Sequence, residues 1–264
     1  MSRLSPVTVV IPTYNERDNL EKLVESVLST ASDYRVLIVD DNSPDGTGDE
    51  AERLAAIHAG RVDVLHRSGK SGMGSAYLAG FQRALRGDAR VIFEMDADFS
   101  HDPRYLEPIR AKVDEAGADV VVGSRYVPGG RGIKWSFRRM LLSRLGCLYA
   151  RTVLRLPLRD VTSGFKCFRR EVLESIDFSD IRSNGFAFQI EMNHAAARRG
   201  FKIAEVPIVF EDRRYGYSKM DWSIVREGLL LVARLFFRGS SRIEPRRVTA
   251  PPLSAPAPSS GEAP

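Results

Sequence analysis

Short β-branched runs alternate with stretches of helical apolar spacing through the first half of this chain, and that alternation leaves few folds open. Val7-Thr-Val-Val-Ile11 is a buried-strand signal closed by Pro12. Leu20, Leu23, Val24, Val27 and Leu28 then recur at helical intervals from about Arg17. A second strand over Val36–Val39 ends in Asp40-Asp41-Asn42-Ser43-Pro44-Asp45-Gly46, a dense turn signal. A helix near Thr47–Ala59, a strand at Val62–Leu65 and a helix over Ala76–Leu85 follow. Next come a strand at Val91–Met95, a helix near Pro103–Glu115 and a strand at Val120–Gly123. Elements in this order predict an α/β fold whose mainly parallel sheet is covered by helices on both faces.

The second half is less regular. Phe137–Leu154 reads as a basic amphipathic helix, Phe186–Arg199 as another, Lys202–Val209 as a strand and Asp221–Phe237 as a last apolar helix. The Pro-, Ser- and Ala-rich stretch from Ser240 predicts a disordered tail over 240–264 behind a single domain over 1–239. The net charge of +5 permits an anionic partner such as a nucleotide, a lipid phosphate or a membrane surface. No zinc-finger spacing, RNA-binding aromatic signature or dense basic helix points to nucleic acid. The two cysteines, Cys147 and Cys167, form no disulfide framework and are expected as buried thiols. The amino terminus has no apolar run after its charge, and no stretch reaches the roughly 18–20 apolar residues of a spanning helix. A place on the cytoplasmic side is therefore expected.

Ligands of open α/β sheets bind beyond the carboxyl ends of the strands. Three polar clusters fall there: Pro12-Thr-Tyr-Asn-Glu16, Asp40-Asp41 and Asp96-Ala-Asp98. Alternate residues of an extended backbone point the same way, so Asp96 and Asp98 are expected to face one point. Two carboxylates together are unfavourable unless a cation lies between them. A hard divalent cation takes one or two carboxylates plus substrate phosphates; the plainer reading is a strand that ends in a polar turn. Tyr14 can stack on a base, and Glu16 or Asp41 can accept hydrogen bonds from base or ribose, although Asp41 also suits a turn cap. Gly69-Lys-Ser-Gly-Met-Gly74 resembles a phosphate cradle but lacks the full phosphate-loop spacing, which favours a loop entering a helix. Arg125 closes a strand at the same edge, and Arg213 and Lys219 lie in a glycine-containing basic loop suited to phosphate oxygens or simply to solvent.

Several segments taken together resemble the polyprenol-phosphate (dolichol-phosphate) mannose synthases, inverting glycosyltransferases of the GT-A fold. They are Val9-Val-Ile-Pro-Thr-Tyr-Asn-Glu16, Val39-Asp-Asp-Asn-Ser-Pro-Asp-Gly-Thr47, Met95-Asp-Ala-Asp-Phe-Ser-His-Asp-Pro103, Gly123-Ser-Arg-Tyr126, Thr162-Ser-Gly-Phe-Lys166 and Tyr215-Gly-Tyr-Ser-Lys219. The resemblance spans roughly residues 6–225. It implies transfer of mannose from GDP-mannose to polyprenyl phosphate. It further implies that Pro12, Tyr14, Glu16, Val39 and Asp41 line the guanosine pocket. Asp96, Ala97 and Asp98 would bind the nucleotide phosphates through Mg²⁺ or Mn²⁺. Ser100 stands where some members use glutamine as a metal ligand, and serine is short enough to leave room for a water. Arg125, Arg213 and Lys219 would contact the donor diphosphate, with Asp98, Arg125 and Arg139 the groups closest to the reaction. Arg139 and Ser143, on the helix after Trp135, would receive the acceptor's lipid phosphate.

Two rivals follow from the same residues: a glucosyl or other sugar-nucleotide transferase, and a non-catalytic sugar-nucleotide sensor. The cations assembled for an acceptor phosphate argue against the sensor. Arg138, Arg139, Arg144 and Arg151 among Met140, Leu141, Leu142, Leu145, Leu148 and Tyr149 suit a membrane interface, or equally a core helix with snorkelling arginines. Association with an integral membrane partner is an expectation of the resemblance alone.

Overall fold

The computed structural model describes residues 5–133, 136–211 and 222–238. Strand β1 (Val7–Thr13) leads into helix α1 (Arg17–Thr30), β2 (Tyr34–Asp40), α2 (Thr47–Ile57), β3 (Val62–His66), α3 (Met73–Arg86) and β4 (Val91–Glu94). After a 3₁₀ turn come α4 (Leu106–Asp114), β5 (Val120–Ser124), β6 (Arg131–Ile133) and α5 (Phe137–Leu154). Strand β7 (Lys166–Arg169), α6 (Arg170–Ser175), α7 (Gly185–Arg198), β8 (Ile203–Pro207), β9 (Val209–Glu211) and α8 (Trp222–Arg238) complete the described chain.

Seven strands form the main sheet in the order β3-β2-β1-β4-β7-β5-β8, and β6 pairs with β9 apart from it. The expected parallel sheet is present with one exception: β7 is antiparallel to both neighbours, with Lys166 opposite Glu94 on β4 and opposite Val122 on β5. Alternation along the strands feeds two cores. Val10, Leu37, Val39 and Ile92 pack with Tyr77, Phe81 and Phe168 on one face. Val9, Ile11, Val36, Ile38 and Phe93 pack with Leu20, Leu23, Val24 and Val27 on the other. Helix α3 lies so close to β1 that a Cβ on Gly80 would sit 2.3 Å from Val10 Cγ1, which admits only glycine there.

Helix α5 has the bounds expected for it, fixed by Ser136, whose Oγ accepts from Arg139 N–H as an N-cap. Helix α3 starts three residues earlier than its apolar spacing predicts, at Met73. The expected strand over 202–209 is two strands, broken at Ile208, whose N–H donates to Ser124 O.

Candidate active site

Strands β1, β2 and β4 are adjacent and parallel, so the loops that leave their carboxyl ends share one edge. Each loop holds one non-glycine residue in the left-handed region: Asn15, Asn42 and Phe99 at φ of 61°, 57° and 60°. Asparagine tolerates this conformation; phenylalanine strongly disfavours it, and such strain collects at functional sites.

The first two loops are tied together by side chains. Asn15 N–H donates to Ser43 Oγ, Glu16 N–H to Thr47 Oγ1 and Arg17 N–H to Asp45 Oδ2. Three consecutive backbone donors are thus satisfied by the Asn-Ser-Pro-Asp-Gly-Thr segment, which explains its composition. Burial pushes the Asp45 carboxyl upward, but hydrogen bonds from Thr47 and Arg17 outweigh it and hold the group below its usual range. Asp40 is equally occupied, accepting from Thr13 Oγ1 and Ser43 Oγ.

Pro12 and Val39 are register partners on β1 and β2. The Val39 side chain, however, is fully buried in the core beneath α3, so its expected part in lining a pocket falls to its backbone. Tyr14 is half-buried, and Lys70 Nζ lies 4.0 Å over its ring. Glu16 accepts from Asn19 Nδ2 at 2.9 Å. Asp41 pairs with Arg67 at 2.5 Å, and Arg67 also donates to Ser75 Oγ on α3. Sequence reasoning did not single out Arg67, and it read Lys70 only as part of a glycine-rich loop. Two glycines of that loop serve packing: a Cβ on Gly72 would lie 2.7 Å from Asn184 Oδ1, and one on Gly74 would lie 2.7 Å from Ser183 O.

Asp96 and Asp98 follow β4, which ends at Glu94, so strand alternation does not set their direction as expected. A turn does: Asp98 Oδ1 accepts from Ser100 N–H at 3.0 Å, across the left-handed Phe99. Asp96 Oδ1 accepts from Tyr77 Oη at 2.8 Å, and Asp96 N–H donates to His101 Nδ1 at 3.0 Å. The His101 Nδ1 lone pair is therefore turned to that N–H, and its 3.8 Å separation from Asp96 Oδ2 is a contact without a bridging proton. Burial raises the Tyr77 hydroxyl well above its usual value, and Asp96, Glu94 and Asp98 add to the rise, so it remains a donor. Ala97 is buried in the core, which leaves only its backbone for a phosphate.

Behind these aspartates, β7 brings Lys166 within 3.1 Å of Glu94 Oε1, both fully buried. Lys166 Nζ also donates to Gln189 Oε1 on α7. Burial drives the Glu94 carboxyl up and the Lys166 ammonium down, and the attraction between them opposes both shifts.

Among the described residues, no three His, Cys, Asp or Glu side chains converge as a self-sufficient metal cage. Asp96 and Asp98 nonetheless fit a hard divalent cation that completes its shell with substrate phosphates. The Ser100 hydroxyl, buried and without a hydrogen-bond partner among the described residues, fits a third oxygen donor, directly or through water.

Arg125, expected at the diphosphate, is held by Asp160. It is 4% exposed, and Nε and Nη2 each reach Asp160 at 2.7 Å while its backbone N–H reaches the same carboxylate at 3.0 Å. Burial opposes both charges, yet each partner keeps the other ionised: the Arg125 guanidinium is pushed up and the Asp160 carboxyl is held below its usual range. The pair braces the end of β5 against the loop before β7. Ser143 accepts from Tyr126 Oη at 2.6 Å, which joins α5 to that same end. Arg139 is half-buried one turn before Ser143 on α5. Arg213, Lys219 and Trp135 lie outside the described residues.

The large apolar residues Phe137, Leu141, Leu145, Leu148 and Tyr149 of α5 are exposed, as are Leu229, Leu230, Phe236 and Phe237 of α8. The two helices lie against each other. Among the described residues no helix is long and apolar enough to cross a membrane.

Comparison with known proteins gives one family and two groups of relatives. Residues 8–177 match the glycosyl transferase family 2. The polyprenol monophosphomannose synthase of Mycolicibacterium smegmatis is 48% identical over 231 residues, covering 88% of this chain and 87% of that protein. The undecaprenyl-phosphate mannosyltransferase of Micrococcus luteus is 44% identical over 232 residues, covering 86% and 93%. Among solved structures, the glucosyl-3-phosphoglycerate synthase of Mycobacterium tuberculosis with Mn²⁺, UDP and phosphoglyceric acid superposes with a TM-score of 0.66 at 18% identity, covering 88% of this chain and 78% of that one. The same synthase with Mg²⁺ and UDP gives 0.64 at 19% identity, covering 88% and 80%. At that identity the likeness is one of fold.

Proposed function

This chain belongs to glycosyl transferase family 2, and from that premise we propose that it transfers mannose from GDP-mannose to a polyprenyl phosphate. The anomeric centre inverts, giving a polyprenyl β-mannosyl phosphate. The observation that carries this reading is the likeness to polyprenol monophosphomannose synthase along most of both chains.

The residues suit the chemistry. Tyr14, Glu16 and Asp41 receive the nucleoside, with Arg67 fixing Asp41 and Lys70 above Tyr14. Asp96 and Asp98 would hold Mg²⁺ or Mn²⁺, with Ser100 beside them. When bound, that cation supplies positive charge to the departing diphosphate. Arg213 and Lys219 would add to that charge, and stabilising a developing anion is the usual large contribution in such sites. Arg139 and Ser143 receive the acceptor phosphate. That group is already ionised near neutral pH, so it attacks without a strong general base. Arg125 acts indirectly, through its bond to Asp160.

The acceptor is a lipid, and the exposed apolar faces of α5 and α8, flanked by Arg138, Arg144, Arg226 and Arg234, suit a membrane surface with anionic headgroups. Incubating the purified protein and Mn²⁺ with polyprenyl phosphate and either radiolabelled GDP-mannose or UDP-glucose tests the reaction. Label is expected in the lipid from GDP-mannose only. Preferential transfer from UDP-glucose would overturn the sugar assignment, and no transfer from either donor would overturn the enzyme assignment.

A further inference from the structure

Asp96 is held from two directions before any cation is considered. Tyr77 Oη donates to Oδ1, and the Asp96 N–H is anchored on His101 Nδ1. The Tyr77 ring has little freedom of its own. It is fully buried, lies parallel to Phe188 of α7 with centroids 6.1 Å apart, and stacks on Phe81 at 6.0 Å. The His101 ring is likewise fixed, stacked on Phe165 at 5.0 Å with the Phe210 ring edge-on.

We propose that Tyr77 is a positioning residue: its hydroxyl occupies Oδ1 of Asp96, fixes the carboxylate rotamer and leaves Oδ2 as the oxygen that meets the cation. The inference rests on the divalent-cation reading of Asp96 and Asp98. Groups that orient metal ligands typically set affinity by about 10–100-fold. Tyr77 touches no substrate, so its effect passes through cation binding alone. It also gives α3 a task at the site beyond covering the sheet.

The test is Mn²⁺ binding to the full chain in the presence of GDP, followed by electron paramagnetic resonance. Tyr77→Phe keeps the ring stack and removes the hydroxyl. It is expected to weaken Mn²⁺ binding about 10–100-fold, to leave metal-free GDP binding within twofold, and to recover most of kcat at saturating Mn²⁺. Phe188→Leu disturbs the stack and keeps the hydroxyl; it is expected to lower Tm while retaining Mn²⁺ affinity. Asp98→Asn, measured alongside, is expected to abolish Mn²⁺ binding. If Asp98→Asn abolishes binding and Tyr77→Phe changes it less than threefold, the role given to Tyr77 is overturned and the metal reading stands. Equal losses of Mn²⁺ affinity in Tyr77→Phe and Phe188→Leu would assign the effect to packing and also overturn it. If Asp98→Asn binds Mn²⁺ as the parent does, the metal reading falls and the inference with it.

Discussion

Helices α3 and α5 are built on opposite plans. Helix α3, 14 residues long, buries Gly74, Ala76, Tyr77, Gly80, Phe81 and Ala84, whereas α5, with 18, buries Cys147 and Ala150. The apolar residues of α3 are spent on the sheet, and one of them carries the hydroxyl that reaches Asp96. Those of α5 are not: Phe137, its most exposed, retains 71% of its surface. Helix α5 is seated by Cys147 and Ala150 in the core, by its packing on α8 and by polar contacts, Ser143 with Tyr126 and Cys147 against Thr162 at 3.5 Å. A helix that leaves this much apolar surface uncovered is shaped by something other than the stability of its own domain. The difference separates a sheet-edge site that the core builds from a helix face that the core merely supports.

The contrast can be broken at its strongest point first. Asp160→Asn removes the partner of buried Arg125, on which the seat of α5 depends, and should cost about 3–5 kcal/mol of unfolding free energy, measured by urea denaturation. The pH dependence follows with its sign. The Asp160 carboxyl is held low in the folded state, so the contribution of the pair is fully present above about pH 4, the unfolded value. It is lost as pH falls through the lower folded value. Acid unfolding followed by circular dichroism should therefore be less steep in Asp160→Asn than in the parent. Gly80→Ala comes next. The added methyl meets Val10, so overpacking should cost about 1–3 kcal/mol, and no comparable loss is expected from Gly146→Ala on α5, where a Cβ meets open space. The smallest stability effect belongs to the triple change of Leu141, Leu145 and Leu148 to Ser. Exposed positions of this sort usually stay within about 0.5 kcal/mol each, while sedimentation with anionic vesicles should fall severalfold. A large drop in Tm with unchanged vesicle binding would make α5 an ordinary core helix and erase the contrast.

Much of the site at the β1, β2 and β4 edge was legible in the sequence, because local patterns encode it. Val7–Ile11 and Val36–Val39 announce buried strands, and turn-forming residues announce the loops that follow. Asp96 and Asp98 were identified as a pair, though their setting is a turn across Phe99 and not an extended strand. Strand β7 escaped because Lys166-Cys-Phe-Arg169 is short and charged at both ends, and its place between β4 and β5 is a long-range pairing without a local signature. The same blindness hid the partner of Arg125: the fold brings Asp160, 35 residues later, against it. Tyr77 and Arg67 were overlooked for the related reason that their partners, Asp96 and Asp41, lie on other elements; His101, in the same loop as Asp96, was read only as part of its motif.

The insertion of β7 also bears on how the chain is made. Strand β4 ends at Glu94, and the partner that covers its free edge begins 72 residues later, at Lys166. At a synthesis rate of roughly 5–20 residues per second, that edge waits about 4–15 s on the ribosome. For the later part of that interval, once Val120–Ser124 has been made, apolar β5 is a competing neighbour. The domain reaches its native sheet only when its antiparallel strand arrives between β4 and β5.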